Sequence, residues 1–318
     1  MNCFISTNID IFYNLALEEF LLKQTSEDFF FLWRSKPVVV VGKHQNPYKE
    51  IDYFKAIKKQ ITVARRLSGG GTIYQDLGNI NFTIIKKTKE GKQINLKKHS
   101  KMVFEALSCL GIDVNYSDRN DFLLNGKKIS GNAEHVYKNR VLHHGTLLFD
   151  TDLDILRTVL KNKPKKYQDQ TVSSVSSAVV NIKPSFDLYQ DTRSFMNLLF
   201  EQILSLNHEC RRISISPNIK IQDLRNNKYS TPEWIFLYTP KYELINKFIY
   251  QNLSCSVKLR VKKGIIQSAQ INGLESIKSI NIKILEQQLQ NKPHLVDEFE
   301  SILKTWQLDT NVLTKEFF

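Results

Sequence analysis

The chain has 318 residues, of which 42% are hydrophobic and 11% aromatic, enough for one large domain with a real core and a small second one. No run of about 18 apolar residues is present, which excludes a membrane-spanning helix. Lys and Arg number 45 against 32 Asp and Glu, a formal net charge of +13. The basic residues are dispersed and no RNA-binding or helix-turn-helix signature accompanies them, so the charge reads as solvated surface with a basic face for an acidic partner protein.

The N-terminus lacks a basic stretch before an apolar one, so no signal peptide is expected; a transit peptide, if there was one, would have been cleaved. Apolar groups at Phe12, Leu15, Ala16, Phe20 and Leu21 have helical spacing and predict a helix over 12–24. Strands are expected at 29–33 and 37–42, the second carrying PVVVV (37–41), a run that suits a buried strand. Residues 61–85 read as strand, glycine loop, strand. KTKEGKQ (87–93) reads as a polar surface loop. A helix over 98–110 ends at Gly111. Asp121 to Ile129 reads as a hairpin turned by Asn125-Gly126, a type I′ signal. A strand through 141–149 and a helix through 152–160 follow. The polar stretch 161–183 reads as a mobile loop, a lid or an ordinary connector. A helix at 191–206 precedes a change of character after Trp234. Beyond it come a two-stranded meander turned at Lys262-Lys263-Gly264 and helices at 282–290 and 295–306.

Cys3, Cys109, Cys210 and Cys255 are far apart and form no C-x-x-C pair, which argues for free thiols in a reducing compartment. His143 and His144 are adjacent on a strand and point to opposite faces, so they do not readily share one ion, and no HExxH motif accompanies them.

The most informative stretch is ARRLSGGGTIYQDLGNINFT (64–83). Gly69, Gly70 and Gly71 let the backbone take unusual φ values and let a ligand approach closely. Inward-turned amides beside a guanidinium form a site for a phosphate or carboxylate. The loop is not a P-loop, since no Lys-Ser or Lys-Thr follows the glycines, and the spacing is wrong for a dinucleotide fingerprint. The plain alternative is a glycine-rich hairpin turn.

This stretch resembles the signature of the lipoate–protein ligase family, including its lipoyltransferase relatives. RNDFLLNGKKISGNA (119–133), LHHGTLLFD (142–150), FYNLALEEFLL (12–22), FLWRSKPVVVVGKHQNP (31–47) and PEWIFLYTPKY (232–242) match in order, over nearly the whole chain. The resemblance implies an α+β fold: a large mixed-sheet catalytic domain of the biotin/lipoate ligase type, here residues 1–242, with a small C-terminal α+β accessory domain, residues 243–318. It implies ATP-dependent activation of lipoate to lipoyl-adenylate, then transfer to a lysine of an apo-lipoyl domain. Expected partners are the E2 subunits of 2-oxoacid dehydrogenases and the glycine cleavage H protein. ATP, lipoate and Mg²⁺ are the expected cofactor and substrate set. A cytoplasmic monomer is expected, or a mitochondrial one if the source is eukaryotic.

Carried onto this sequence, the motifs make Lys128 the catalytic residue, pairing with carboxylate and phosphate alike; by itself it would read as a solvated hairpin lysine. Lys127 falls on the opposite strand face and is expected to be dispensable. Arg66 is expected to fork onto phosphate or carboxylate, with Arg65 turned away. Ser68, Gly69, Gly70 and Gly71 are expected to line the acyl and phosphate channel, and Gly131 and His144 the same pocket. Thr72, Ile73 and Tyr74 are expected to border the adenine, and Asn79 to bond it or to close the loop. Asp121 is a Mg²⁺ candidate or a turn residue. Trp33 and the apolar strand after it are expected to build a slot for an eight-carbon chain. The chain departs from the family pattern at Leu67, at Gln75 (usually histidine), at Asn132, and at Leu237-Tyr238 before Thr239-Pro240.

Two other readings compete. A transferase could take preformed lipoyl-adenylate; a thioester route is disfavoured because no cysteine lies in the motifs. A non-catalytic basic binding protein is disfavoured because Lys128 and Arg66 are present. The G-R-G-R loop of biotin–protein ligases is absent.

Overall fold

The structure is a computed structural model that describes residues 1–88, 94–160, 166–171, 173–186, 191–277 and 280–318. Most of the surface loop expected at 87–93, and residues 161–165 and 172 of the expected lid or connector, lie outside the described residues.

The chain opens with β1 (Asn2–Ile5) and α1 (Ile11–Gln24). The Asp10 side chain starts the helix by accepting from the Phe12 amide, satisfying one of the donors that a helix N-terminus leaves open. Strands β2 (Phe29–Trp33) and β3 (Val38–Val41) are buried along their whole length. Two short helices that the sequence patterns did not reveal, α2 (Pro47–Glu50) and α3 (Tyr53–Lys58), lead to β4 (Thr62–Arg65). After the glycine loop come β5 (Ile73–Gln75), β6 (Asn79–Lys87) and α4 (Leu96–Cys109). Strands β7 (Val114–Tyr116), β8 (Phe122–Leu124) and β9 (Lys127–Ser130) form the next sheet. Its last turn has Asn125 at φ 50° and Gly126 at φ 71°, the left-handed pair that the Asn-Gly signal requires. Then follow β10 (Asn132–Tyr137), β11 (Arg140–Leu148), α5 (Leu153–Val159) and β12 (Tyr167–Asp169). Helix α6 (Thr192–Leu206), strand β13 (Arg211–Arg212) and helix α7 (Ile219–Leu224) lead to π-helical turns at Arg225–Tyr229 and Glu233–Leu237. The last part comprises β14 (Tyr242–Tyr250), β15 (Leu253–Lys262), β16 (Ile265–Asn272), α8 (Ile282–Leu289), α9 (Val296–Thr305) and α10 (Thr310–Leu313).

The central sheet runs β10-β11-β6-β2-β1-β13. It is mixed: β1 pairs in parallel with β2 and β13, and the other neighbours are antiparallel. One face packs on α4 and α6 through Phe30, Phe82, Val103 and Phe195. The other packs on α1 through Leu15, Phe31 and Leu142. A small β4-β3-β5 sheet and the β7-β8-β9 sheet flank it. The architecture is the expected α+β arrangement of mixed sheets and helices.

The fourth sheet runs β12-β14-β15-β16. It starts at Tyr242 but borrows β12 from upstream of α6, so its core includes Tyr48 and Tyr167 as well as residues beyond 243. Among the described residues no helix is long and apolar enough to cross a membrane.

Candidate active site

The site begins where β3 and β4 run side by side. Val41 is in register with Arg65, so the two arginines leave the edge of one small sheet with opposite directions. Arg65 is fully buried. Its Nε donates to the carbonyls of Trp234 (2.9 Å) and Ile235 (3.0 Å), and its Nη1 to those of Gly42, Lys43 and Gln45 (3.1, 2.9 and 2.8 Å). Its Nη2 reaches the Ile235 carbonyl and Thr239 Oγ1. Burial pulls the guanidinium down to about 9; Tyr238 opposes that shift and Arg66 adds to it. Arg65 thus faces away from the cavity, as its position predicts, and ties the loop region to 234–239.

Arg66 lines the cavity but is not the free fork that the sequence suggests. Its Nη2 donates to the Gly69 and Gly71 carbonyls, both at 2.7 Å, its Nη1 to Val40 O at 3.2 Å and its Nε to Ser68 Oγ at 2.9 Å. Burial lowers it to about 10, with Glu18 opposing the shift. The guanidinium braces the glycine loop from inside. Gly70 needs its glycine, at φ 85°.

Ser68 is buried and hydrogen-bonds His144 Nε2 at 2.6 Å, while His144 Nδ1 lies 3.0 Å from Glu18 Oε2. Arg66 Nε can only donate, so Ser68 Oγ accepts from it. Glu18 and Ser68 thus hold the two ring nitrogens of His144 from opposite sides. Thr83 Oγ1 donates to Glu18 Oε1 at 2.6 Å, and Trp33 Nε1 donates to Thr83 at 3.0 Å. Nothing local in the α1 sequence marks Glu18 for this position; its partner lies 126 residues away.

Two cavities adjoin beneath the loop. The first, about 280 Å³, is lined by the apolar Leu15, Trp33 and Val40 and by the charged Arg119, Asp121 and Lys128. The second, about 800 Å³, is bounded by Tyr74, Leu148, Leu156 and Arg157. Thr72, Ile73, Lys128 and Gly131 line both. Lys128 therefore stands at their junction, and its Nζ lies 3.0 Å from Asp121 Oδ2. Lys127, the preceding residue, is exposed but still lines the second cavity, though not the first.

Of the other expected residues, Asn79 is buried and lines neither cavity; its backbone N–H donates to Asp76 O at 3.1 Å, closing the turn, in keeping with the second of its two expected roles. The Thr72 amide, expected to serve an adenine, donates to Ser174 Oγ at 2.8 Å. Gly69 lines neither cavity, whereas Gly70 and Gly71 line the first. Gln75 and Asn132, two of the departures, both line the first cavity.

Sequence reasoning missed how the described part of 166–183 is fixed. Ser174 hydrogen-bonds Glu50 and Thr72, and accepts from Gln45 Nε2. The Lys128 amide donates to Ala178 O at 2.9 Å, and the Val180 amide to Lys128 O at 3.1 Å. These bonds lay residues 173–179 across both cavities, holding Lys128 from its backbone.

Across the whole of 10–204 the sequence matches the lipoyl protein ligase A/B catalytic domain family. The chain belongs to the lipoate–protein ligase family. It is 34% identical over 270 residues to lipoate-protein ligase LplJ of Bacillus subtilis (strain 168), a match that covers 82% of this chain and 80% of that protein. Among solved structures, P. falciparum LipL1 in complex with lipoate matches with a TM-score of 0.64 at 23% identity, covering 96% of this chain and 94% of that one. A lipoate-protein ligase A bound with ATP matches with a TM-score of 0.59 at 24% identity, covering 74% of this chain and 96% of that one. The chain is thus an enzyme of the ligase family, with the lipoate ligase fold.

Proposed function

We propose that this protein is an ATP-dependent lipoate–protein ligase that both activates and transfers the acyl group. The carrying observation is the meeting of two cavities at one lysine. The first, with Leu15, Trp33 and Val40 in its wall, suits a short aliphatic chain. The second, larger and lined by Tyr74, Lys127 and Arg157, suits a nucleotide. Lys128 at the junction would face the lipoate carboxylate and the ATP α-phosphate together.

In the first step the carboxylate oxygen attacks the α-phosphorus and pyrophosphate leaves. Lys128 would stabilise the extra negative charge on the five-coordinate phosphorus, and the Gly70 and Gly71 backbone, stiffened by Arg66, would keep its shape as charge moves. In the second step an acceptor lysine amine attacks the acyl carbon and AMP leaves. No protein nucleophile is required. In this reading Ser68 and His144 orient the wall of the acyl slot, and Ile73 and Tyr74 border the base. Mg²⁺ would arrive with the nucleotide phosphates. Asp121 fits it as a single carboxylate ligand, provided that Lys128 releases it on turning to substrate. Acceptors would be apo-lipoyl domains such as E2 subunits and the H protein. We treat residues 1–242 as the catalytic unit and 243–318 as an accessory unit.

Lipoate-dependent release of pyrophosphate from ATP, without any acceptor, tests the activation step. Release that requires lipoate supports the ligase. No release, with transfer restored by synthetic lipoyl-adenylate, would make the protein a transferase.

A further inference from the structure

On the far side of β11 from the cavity, His143 meets two residues that the site does not use. His99 from α4 and Glu134 from β10 each bring a side chain to it. Glu134 Oε1 lies 2.8 Å from His99 Nδ1 and 2.8 Å from His143 Nδ1. The side chains of His99, Glu134 and His143 are 8%, 1% and 0% exposed. All three donor atoms lie within 4.8 Å of one another.

The neighbouring amides set the protons. Asn132 Nδ2 donates to the Asn120 carbonyl at 3.0 Å. Its Oδ1 is therefore the atom that faces His143 Nε2, at 3.2 Å. An amide oxygen only accepts, so Nε2 carries the hydrogen. In neutral His143, Nδ1 then presents a lone pair to a carboxylate oxygen 2.8 Å away. Two acceptors at that distance need a positive centre between them. The other carboxylate oxygen is already engaged by the Asn95 amide at 2.9 Å, which holds the group in place.

We propose that His99 Nδ1, Glu134 Oε1 and His143 Nδ1 bind a first-row divalent ion of the Zn²⁺ type. Two imidazoles and a carboxylate are a borderline donor set that suits this ion. Tetrahedral bonds of about 2.0–2.2 Å place donors roughly 3.4 Å apart, so each histidine nitrogen must part from Glu134 Oε1 by about 0.6 Å. Asn132 acts as the outer partner that fixes the His143 ring, a common support of metal-bound histidine. The ion would clamp α4 to the β10–β11 pair, whose opposite face carries Ala133 and His144 in the cavity wall.

The test is titration of untagged, chelator-treated protein with Co²⁺, followed by its visible absorption, with Zn²⁺ as competitor. One Co²⁺ per chain, displaced by Zn²⁺, is the expected result. Glu134→Gln and His99→Ala should each weaken binding more than about 100-fold, beyond the usual loss for an outer-shell partner. Glu134→Gln keeps the volume and hydrogen bonding, so its melting temperature without metal reports whether it folds. Zn²⁺ should raise the melting temperature of wild type only. Absence of micromolar Co²⁺ and Zn²⁺ binding by wild type would overturn the proposal. Equal binding by both variants would do the same, as would an imidazolium signature for His143, in nitrogen-detected spectra, that added metal leaves unchanged.

Discussion

Lys128 Nζ and Asp121 Oδ2 form a 3.0 Å ion pair at the point where the two cavities meet. Their side chains are only 27% and 15% exposed, respectively. The ammonium is held in place by the carboxylate and its backbone is clamped by residues 178–180. Lys128→Ala is expected to lower turnover by about 10²–10³-fold, as for loss of one preorganised donor, with little change in melting temperature. Lys127→Ala should lower turnover far less, because Lys127 is exposed and lines only the second cavity, away from the junction. Steady-state rates on both variants decide this; equal losses would remove Lys128 from its proposed role.

The glycines separate by what surrounds them. A Cβ on Gly42 would lie 2.1 Å from the Gly70 carbonyl oxygen, whereas one on Gly69 would meet nothing within 4 Å. Gly42→Ala must displace the loop that Arg66 braces, and a shift of about 1 Å can cost about 10²-fold. Gly69→Ala should remain within about threefold on the same scale. Comparing the two rates checks whether loop shape or glycine count matters.

Arg65 supports the same loop from outside. Arg65→Met would leave the carbonyls of Gly42, Lys43, Gln45, Trp234 and Ile235 without their shared donor. Each buried acceptor left unpaired costs about 1–3 kcal/mol, so a loss of about 3 kcal/mol or more is expected from urea unfolding. A change below about 1 kcal/mol would mean that water replaces the guanidinium with little cost.

His294 supplies a pH dependence. It is buried among Tyr48, Phe299 and Phe318, hydrogen-bonds the Tyr242 hydroxyl, and lies 2.8 Å from the Phe317 carbonyl through Nε2. Burial lowers its pKa from 6.5 to about 4, only partly offset by that carbonyl. The unfolded chain then binds a proton that the folded one refuses between those values. Stability is complete above about pH 6.5 and falls as pH drops toward 4, by about 3 kcal/mol in all. His135, also lowered to about 4 mainly by burial, adds a loss of the same sign. In a His294→Gln variant, the drop in unfolding free energy between pH 7 and pH 4 should shrink; an unchanged drop would assign it elsewhere.

Legibility in the sequence followed the range of the interactions. Helix α1, the Asn125-Gly126 hairpin and the β15–β16 turn rest on local periodicity and turn chemistry, and all lie where these patterns put them. The short helices α2 and α3 carry no periodic apolar face long enough to register. Strand β10 is half-buried at every position, so no alternation marks it. The loop motif announced an anion site, but a motif names residues without saying how their donors are used. Arg66 looked free because three of its four acceptors are main-chain carbonyls, which sequence does not display. Glu18, Ser174 and Glu134 gain their positions from partners between 9 and 126 residues away, beyond any local pattern.

The most direct measurement is the intact mass of an apo-lipoyl acceptor domain after incubation with this protein, Mg-ATP and lipoate, beside a parallel run with Lys128→Ala. The account predicts one added lipoyl group per acceptor with wild type and a strongly reduced fraction with the variant. An unmodified acceptor with wild type, under conditions where synthetic lipoyl-adenylate does modify it, would contradict the claim that this chain activates lipoate itself.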